Sequence, residues 1–268
     1  QATTTMMQAR AAATMDSIKL IFMPPMVASF AKRPEMEPSR WRLLPYQAVG
    51  VECGMLLALR LDGARVGAEE WGRLLLALSL LEGESRIRLT TPLQSKSYVE
   101  LTRASLSAFG GESQWMGQDT ILVKPRRLKA ADVTVEGDYT HASLFLAAGA
   151  VYGPVTVTGL DPGSIQGDRA MLSILDRMGA RVDMGGGSVT VSPGRLRGID
   201  VDVSDTPDLA PAIALAALAA EGSTVVKNGG RLRFKECDRI SAIATELKRL
   251  GADIDEAPDG FTIRGGGK

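Results

Sequence analysis

The segment Lys235-Glu236-Cys237-Asp238-Arg239 packs two cations and two acids into five residues. Capping a helix needs one acceptor, so this density suits another task, binding a charged ligand while a proton moves. Four further polar loops interrupt the apolar pattern where helices are predicted to open. They are Gln94-Ser95-Lys96-Ser97-Tyr98, Gly137-Asp138-Tyr139-Thr140-His141, Ser164-Ile165-Gln166-Gly167-Asp168 and Ser204-Asp205-Thr206-Pro207-Asp208. Free N–H groups and the positive end of the helix dipole make such openings natural sites for phosphate or carboxylate. Plain capping by Ser, Thr or Asp accounts equally well for any one loop taken alone.

The elements that must position these loops repeat along the chain. Glu82-Gly83, Tyr152-Gly153 and Glu221-Gly222 stand before similar apolar strands at spacings of 70 and 69 residues. Gly110, Gly179 and Gly251 each follow a helical pattern, at spacings of 69 and 72, where a left-handed C-cap is expected. Internal repeats at one period imply an architecture of stacked copies. The second copy predicts a strand at 133–136, an apolar helix at 142–151 and a strand at 155–158. An amphipathic helix at 168–178 and a hairpin of 181–183 with 188–191 complete it. The third copy gives the same order: strands at 199–203 and 223–227, helices at 209–220 and 238–250, and a hairpin of 253–255 with 261–264. The fold class is α/β, built from βαβαββ copies of about 70 residues whose apolar helices can be buried together beneath outward sheets. The division read from the sequence is an atypical, unassigned segment 1–58, one copy at 59–130, and two copies at 131–268.

Composition narrows the partners. The 268 residues carry 31 Lys+Arg and 31 Asp+Glu, with 45% hydrophobic residues, so a real core is available and the basic excess of a nucleic-acid binder is not. Cys53 and Cys237 form neither a metal cluster nor a disulfide framework, which makes a reducing cytoplasm the expected compartment. The apolar run at 18–30 is short and broken by Pro24 and Pro25, against a membrane span. Residues 1–33 are low in acid, faintly like a transit peptide, although Asp16 interrupts them and no cleavage signal stands out. His141, the sole histidine, is expected to be a solvated or capping residue. Gly185-Gly186-Gly187 reads as a hairpin tip, because no helix follows it. Met171 and Met178 have core spacing.

Several segments together resemble the 5-enolpyruvylshikimate-3-phosphate synthase family. They are Gly137-Asp138 with Ala142-Ser143, Gln166-Gly167-Asp168, Asp205-x-Pro207-Asp208-Leu209-Ala210-Pro211, Arg231 through Ile240, and Ser95-Lys96-Ser97-Tyr98-Val99-Glu100. The order and spacing hold from about residue 74 to 265. The resemblance implies a two-domain architecture, each domain of three such copies, with the crossing here near residues 130–134. It also implies enolpyruvyl transfer from phosphoenolpyruvate to the 5-hydroxyl of shikimate 3-phosphate in aromatic amino acid biosynthesis, with no metal and no organic cofactor. Carried onto this chain, Asp208 would be the base near the hydroxyl and Glu236 the proton donor or relay. Lys235 would bind shikimate 3-phosphate near the reacting centre, Arg239 would hold phosphoenolpyruvate, and Ser95 and Tyr98 would touch the shikimate phosphate.

This sequence departs from the family pattern at several places. Gly67-Ala68-Glu69-Glu70-Trp71 stands where the family has a Ser-Ser-Gln phosphate loop, Arg231 where it usually has Asn, and Cys237 where it has Ser or Thr. The family's N-terminal Lys and Arg motif and its Asn-Ala-Gly-Thr motif are not recognisable in 1–58, where Arg33-Pro34 is at best a remnant. The chain ends at Lys268, before the family's last copy with its Asp-His-Arg triplet and final Lys. The expectation is therefore a truncated architecture lacking roughly half of the family's cation cage. The alternative function is that of a shortened relative that binds a phosphorylated ligand weakly or not at all and does not catalyse.

Overall fold

Where apolar residues recur every three or four positions the chain coils, and where they alternate it extends. The computed structural model describes residues 46–52, 56–61 and 68–266. The run at 18–30, the transit-like segment, Arg33-Pro34, Cys53 and Gly67 lie outside the described residues. The described residues fall into two compact units. One holds residues up to Pro92 with Gly110–Leu128, and the other holds Leu93–Phe109 with the chain from Lys129 onward.

The first unit contains strands β1 (Tyr46–Glu52), β2 (Leu56–Leu61), β3 (Ser85–Leu89), β4 (Glu112–Met116) and β5 (Thr120–Lys124), with helix α1 (Ala68–Ser79). They form one sheet in the order β1-β2-β3-β5-β4. Strands β2 and β3 run parallel, as a helical crossover through α1 requires. Trp71, Leu75 and Leu78 share one buried face of α1. Along β3, Ser85, Ile87 and Leu89 are buried while the arginines between them are exposed.

The second unit contains α2 (Lys96–Ala108), α3 (Tyr139–Val151), β6 (Val155–Thr158), α4 (Ala170–Met178), β7 (Arg181–Gly185), β8 (Ser188–Ser192) and β9 (Asp200–Asp202). It continues with α5 (Ala210–Leu218), β10 (Gly222–Lys227), α6 (Arg239–Arg249), β11 (Asp253–Ala257) and β12 (Gly260–Gly265). Its sheets are ordered β6-β8-β7 and β9-β10-β12-β11. The second order repeats β2-β3-β5-β4 of the first unit: two parallel strands, then a hairpin whose later strand pairs inward. The sheet β6-β8-β7 is the same pattern without its first strand. Residues 93–109, read from the sequence within the 59–130 copy, cluster here, where Ser97 N–H donates to Asp205 Oδ1 at 3.3 Å.

The missing strand corrects the sequence reading of 133–136. That segment carries no strand; Val133 and Val135 are exposed, Val135 at 89%. Gly137 N–H donates to Gly159 O at 2.8 Å, where the third copy has Val203 N–H on Lys227 O at 3.0 Å. Upstream of that bond the third copy continues as β9 and the second does not. Four alternating residues become a strand only where packing on one face rewards them, and neither valine is buried.

Helices α3 and α5 are apolar on all sides and pack against each other. Leu146, Ala147 and Ala150 of α3 and Ala212, Ile213 and Ala216 of α5 are essentially fully buried. A side chain of leucine size buried this way contributes roughly 1.5–3 kcal/mol. At Gly149 a Cβ would lie 2.8 Å from the Val191 carbonyl oxygen, so glycine lets α3 rest on β8. The amphipathic helices α4 and α6 add Met171, Leu172, Ile174, Leu175 and Met178, and Ile240 and Ala244. Gly110, Gly179 and Gly251 take φ of 82°, 105° and 88° where the helices stop, as the spacing predicts.

Candidate active site

Three helix openings of the second unit bring the polar residues together. Ser95 precedes α2 with φ 53° and ψ 43°, a left-handed conformation uncommon for a residue with a Cβ. Its side chain caps nothing in α2; instead its hydroxyl accepts from Arg231 Nη1 at 3.3 Å. Tyr98 lies in the first turn of α2. Asp208 lies in a 3₁₀ turn, Pro207–Leu209, that leads into α5. Pro207 suits a helical start, since its missing N–H would have no partner there. Another 3₁₀ turn, Gly230–Phe234, delivers Lys235 in extended backbone, and Asp238 caps α6 by accepting from Ser241 N–H at 3.0 Å. Arg239 is thus the first residue of α6.

Asp208 is the meeting point. Its Oδ1 is 2.7 Å from Arg239 Nη1 and 3.3 Å from Lys235 Nζ, and its Oδ2 accepts from Tyr98 Oη at 2.8 Å. Burial pushes the Asp208 carboxyl up, but Lys235, the Tyr98 hydroxyl and Arg239 together hold it below the ordinary carboxylate range. Arg239 also clasps Glu236, Nε to Oε1 at 2.9 Å and Nη2 to Oε2 at 3.0 Å. Glu236 is exposed, and a backbone N–H bond and Arg239 keep it low as well. Arg239 is raised: desolvation opposes its charge, and Glu236 and Asp208 outweigh that. The group therefore offers two ionised carboxylates and two cations that an incoming anion could claim.

All six residues carried over by resemblance sit in this unit, five of them joined directly or through one partner: Tyr98, Asp208, Lys235, Arg239 and Glu236. Ser95 opens the same helix as Tyr98 and meets Arg231. Two neighbours had no role in the sequence reading. Asp168 lies 3.3 Å from Tyr98 Oη and accepts from Thr140 Oγ1. Arg231 opens a family-like segment but is itself a departure from the family pattern, with no role assigned. His141 has its Nδ1 against Asp138 Oδ2 in the cap of α3, with its ring exposed. Gly185, Gly186 and Gly187 make the β7–β8 tip. Cys237 is a free, exposed thiol. A cavity of about 710 Å³ opens beside α2, with Tyr98, Thr140 and Asp168 in its wall; Asp208, Lys235, Glu236 and Arg239 do not line it.

The sequence profile of the family described as EPSP synthase (3-phosphoshikimate 1-carboxyvinyltransferase) matches residues 58–268. A 3-phosphoshikimate 1-carboxyvinyltransferase of Methanothrix thermoacetophila is 45% identical over 208 residues, covering 77% of this chain and 49% of its own. The enzyme of that name from Actinobacillus pleuropneumoniae serotype 5b is 40% identical over 208 residues, 77% of this chain and 48% of its own. Among solved structures, EPSP synthase from Acinetobacter baumannii aligns with a TM-score of 0.62 at 27% identity, over 86% of this chain and 56% of that one. The enolpyruvyl transferase NikO from Streptomyces tendae, at TM-score 0.54 and 24% identity over 74% of this chain and 46% of that one, shares the fold. The chain spans about half the length of the curated relatives it matches.

Proposed function

The chain belongs to the EPSP synthase family, and from that premise we propose that it transfers the enolpyruvyl group of phosphoenolpyruvate to the 5-hydroxyl of shikimate 3-phosphate. The observation that carries the reading is the Asp208 carboxylate, kept ionised between Lys235, Arg239 and the Tyr98 hydroxyl. Asp208 takes the hydroxyl proton as the oxygen bonds to C2 of phosphoenolpyruvate, while Glu236 delivers or relays a proton to the methylene carbon. Cleavage of the bond between C2 and the phosphate ester oxygen then releases inorganic phosphate, and the new methyl carbon returns a proton to Glu236 as the double bond is restored. Lys235 binds shikimate 3-phosphate near the reacting centre, Arg239 holds phosphoenolpyruvate, and Ser95 and Tyr98 touch the shikimate phosphate.

The ion pairs of the free chain suit this sequence of events. Arg239 is shared between Glu236 and Asp208, so an anionic substrate that draws the guanidinium away leaves both carboxylates with less positive charge nearby. Each becomes a better proton acceptor once the substrate is in place. The setting we infer is the cytoplasm, where the exposed Cys237 thiol stays reduced; among the described residues no helix is long and apolar enough to cross a membrane. The decisive assay measures phosphate release with both substrates. Release that requires both is expected, and a folded chain that releases none would sink the proposal.

A further inference from the structure

Asp168 belongs to the Gln166-Gly167-Asp168 segment, yet no step above uses it. It is 2% exposed, its Oδ2 accepts from Thr140 Oγ1 and faces Tyr98 Oη, and its buried Oδ1 has no hydrogen-bond partner. No ion pair joins it to a Lys or Arg among the described residues, in contrast to Asp208. Tyr98 has a single hydroxyl proton, and Asp208 Oδ2 at 2.8 Å is its nearer acceptor. With both carboxylates ionised, Asp168 Oδ2 would confront the Tyr98 oxygen with no proton between them. A proton on Asp168 resolves the conflict, because its O–H donates to Tyr98, which donates to Asp208.

We propose that Asp168 is a positioning residue: as a neutral acid it aims the Tyr98 hydroxyl at Asp208 and so fixes the carboxylate read above as the base, a reading on which this inference rests. The environment favours that protonation. Burial raises the Asp168 carboxyl, the charges of Asp208 and Asp138 raise it further, and bonds from Thr140 and Tyr98 work in the other direction. The titratable groups that face it are Tyr98 of α2, Asp138 at the start of α3 and Asp208 before α5. Burial, then Asp168 and Asp208, push the Tyr98 phenol far up, so Tyr98 keeps its proton and does not itself act as a base.

Carbon-13 NMR of the full chain, with labelled aspartate carboxyls assigned through Asp168→Asn and Asp208→Asn, tests the link without need of turnover. The Asp208 resonance is expected to show a second inflection at the pH where Asp168 ionises, and that inflection should vanish in Asp168→Asn and shrink in Tyr98→Phe. One unchanged inflection in all three proteins would overturn the proposal. In the phosphate-release assay, Asp168→Ala should lower kcat roughly tenfold, the scale of one lost hydrogen bond, with KM little changed. Asp168→Asn, whose amide still donates, should recover most of that loss; equal loss in both variants would count against positioning by a donated proton. Full turnover by Asp208→Asn would instead remove the base assignment and leave the NMR coupling standing, so the two failures are distinguishable.

Discussion

Asp168 and Asp208 face the same tyrosine hydroxyl from two different copies of the repeat, Asp168 buried and Asp208 partly buried. Their carboxyls are shifted in opposite directions. Burial raises Asp168 against the bonds from Thr140 and Tyr98, and no ion pair joins it to a Lys or Arg among the described residues, whereas at the less deeply buried Asp208 burial is overcome by Lys235, Tyr98 and Arg239. The difference originates in the loops that meet each carboxylate. The segment 235–239 brings two cations to Asp208, while Asp168 is met by the hydroxyls of Thr140 and Tyr98 and by the negative charges of Asp138 and Asp208. Burial alone does not set the charge of a carboxyl; the partners supplied with burial do.

The largest expected effect removes the ionised member. Asp208→Asn keeps the shape and most of the hydrogen bonds but deletes the base, so turnover should fall roughly 10²–10⁴-fold with little change in substrate affinity. Phosphate release and calorimetric binding measure the two quantities separately, and an Asn variant as fast as wild type would break the assignment. A smaller effect comes from removing one of the cations that distinguish the two sites. Lys235→Ala should weaken shikimate 3-phosphate binding by roughly 1.5–3 kcal/mol, the contribution of one charge-assisted contact. Unchanged affinity by calorimetry would show that Lys235 serves only Asp208.

The smallest effect is on stability, and its sign differs between the two carboxyls. Asp208 is depressed in the folded chain, so its contribution is present above the ordinary Asp value of about 3.9 and is lost as pH falls through its lower folded value. Asp168 is raised, so the folded chain binds the extra proton and stability falls as pH rises from about 3.9 through the higher folded value. Thermal melts across pH should show Asp168→Asn gaining on wild type as pH rises toward neutrality. Asp208→Asn should lose most at neutral pH, where Lys235 and Arg239 are left without their carboxylate, and should approach wild type in acid. Parallel curves for both variants would erase the contrast.

The same comparison marks how far the sequence could be read. The 235–239 segment was identifiable because its charge density exceeds what capping requires, and Asp208 because a motif of several residues carried it. Asp168 carries a single acidic side chain at a helix opening, which is also what an ordinary cap looks like; its isolation appears only when the surrounding side chains are placed. Arg231 beside Ser95 was invisible for a related reason, since the two are 136 residues apart. At 133–136 the alternation Val-Thr-Val-Glu is compatible with a strand, but β6 meets no ladder partner there, and the valines stay exposed.

Local physics determined the helices, most strands and their ends: a three-to-four residue apolar spacing buries one face of α4 and α6, and a glycine tolerates the positive φ that stops a helix. These depend on residues a few positions apart, so the order of amino acids contains them. Membership of the family was likewise written in the chain, as motifs in order. Only the tertiary structure decided which of two similar aspartates has its carboxyl raised and which lowered, because that depends on the summed fields of side chains from α2, α3, the turn before α5 and the opening of α6. Fields act through space, and the distances between those groups follow from how the elements pack, not from any spacing along the sequence.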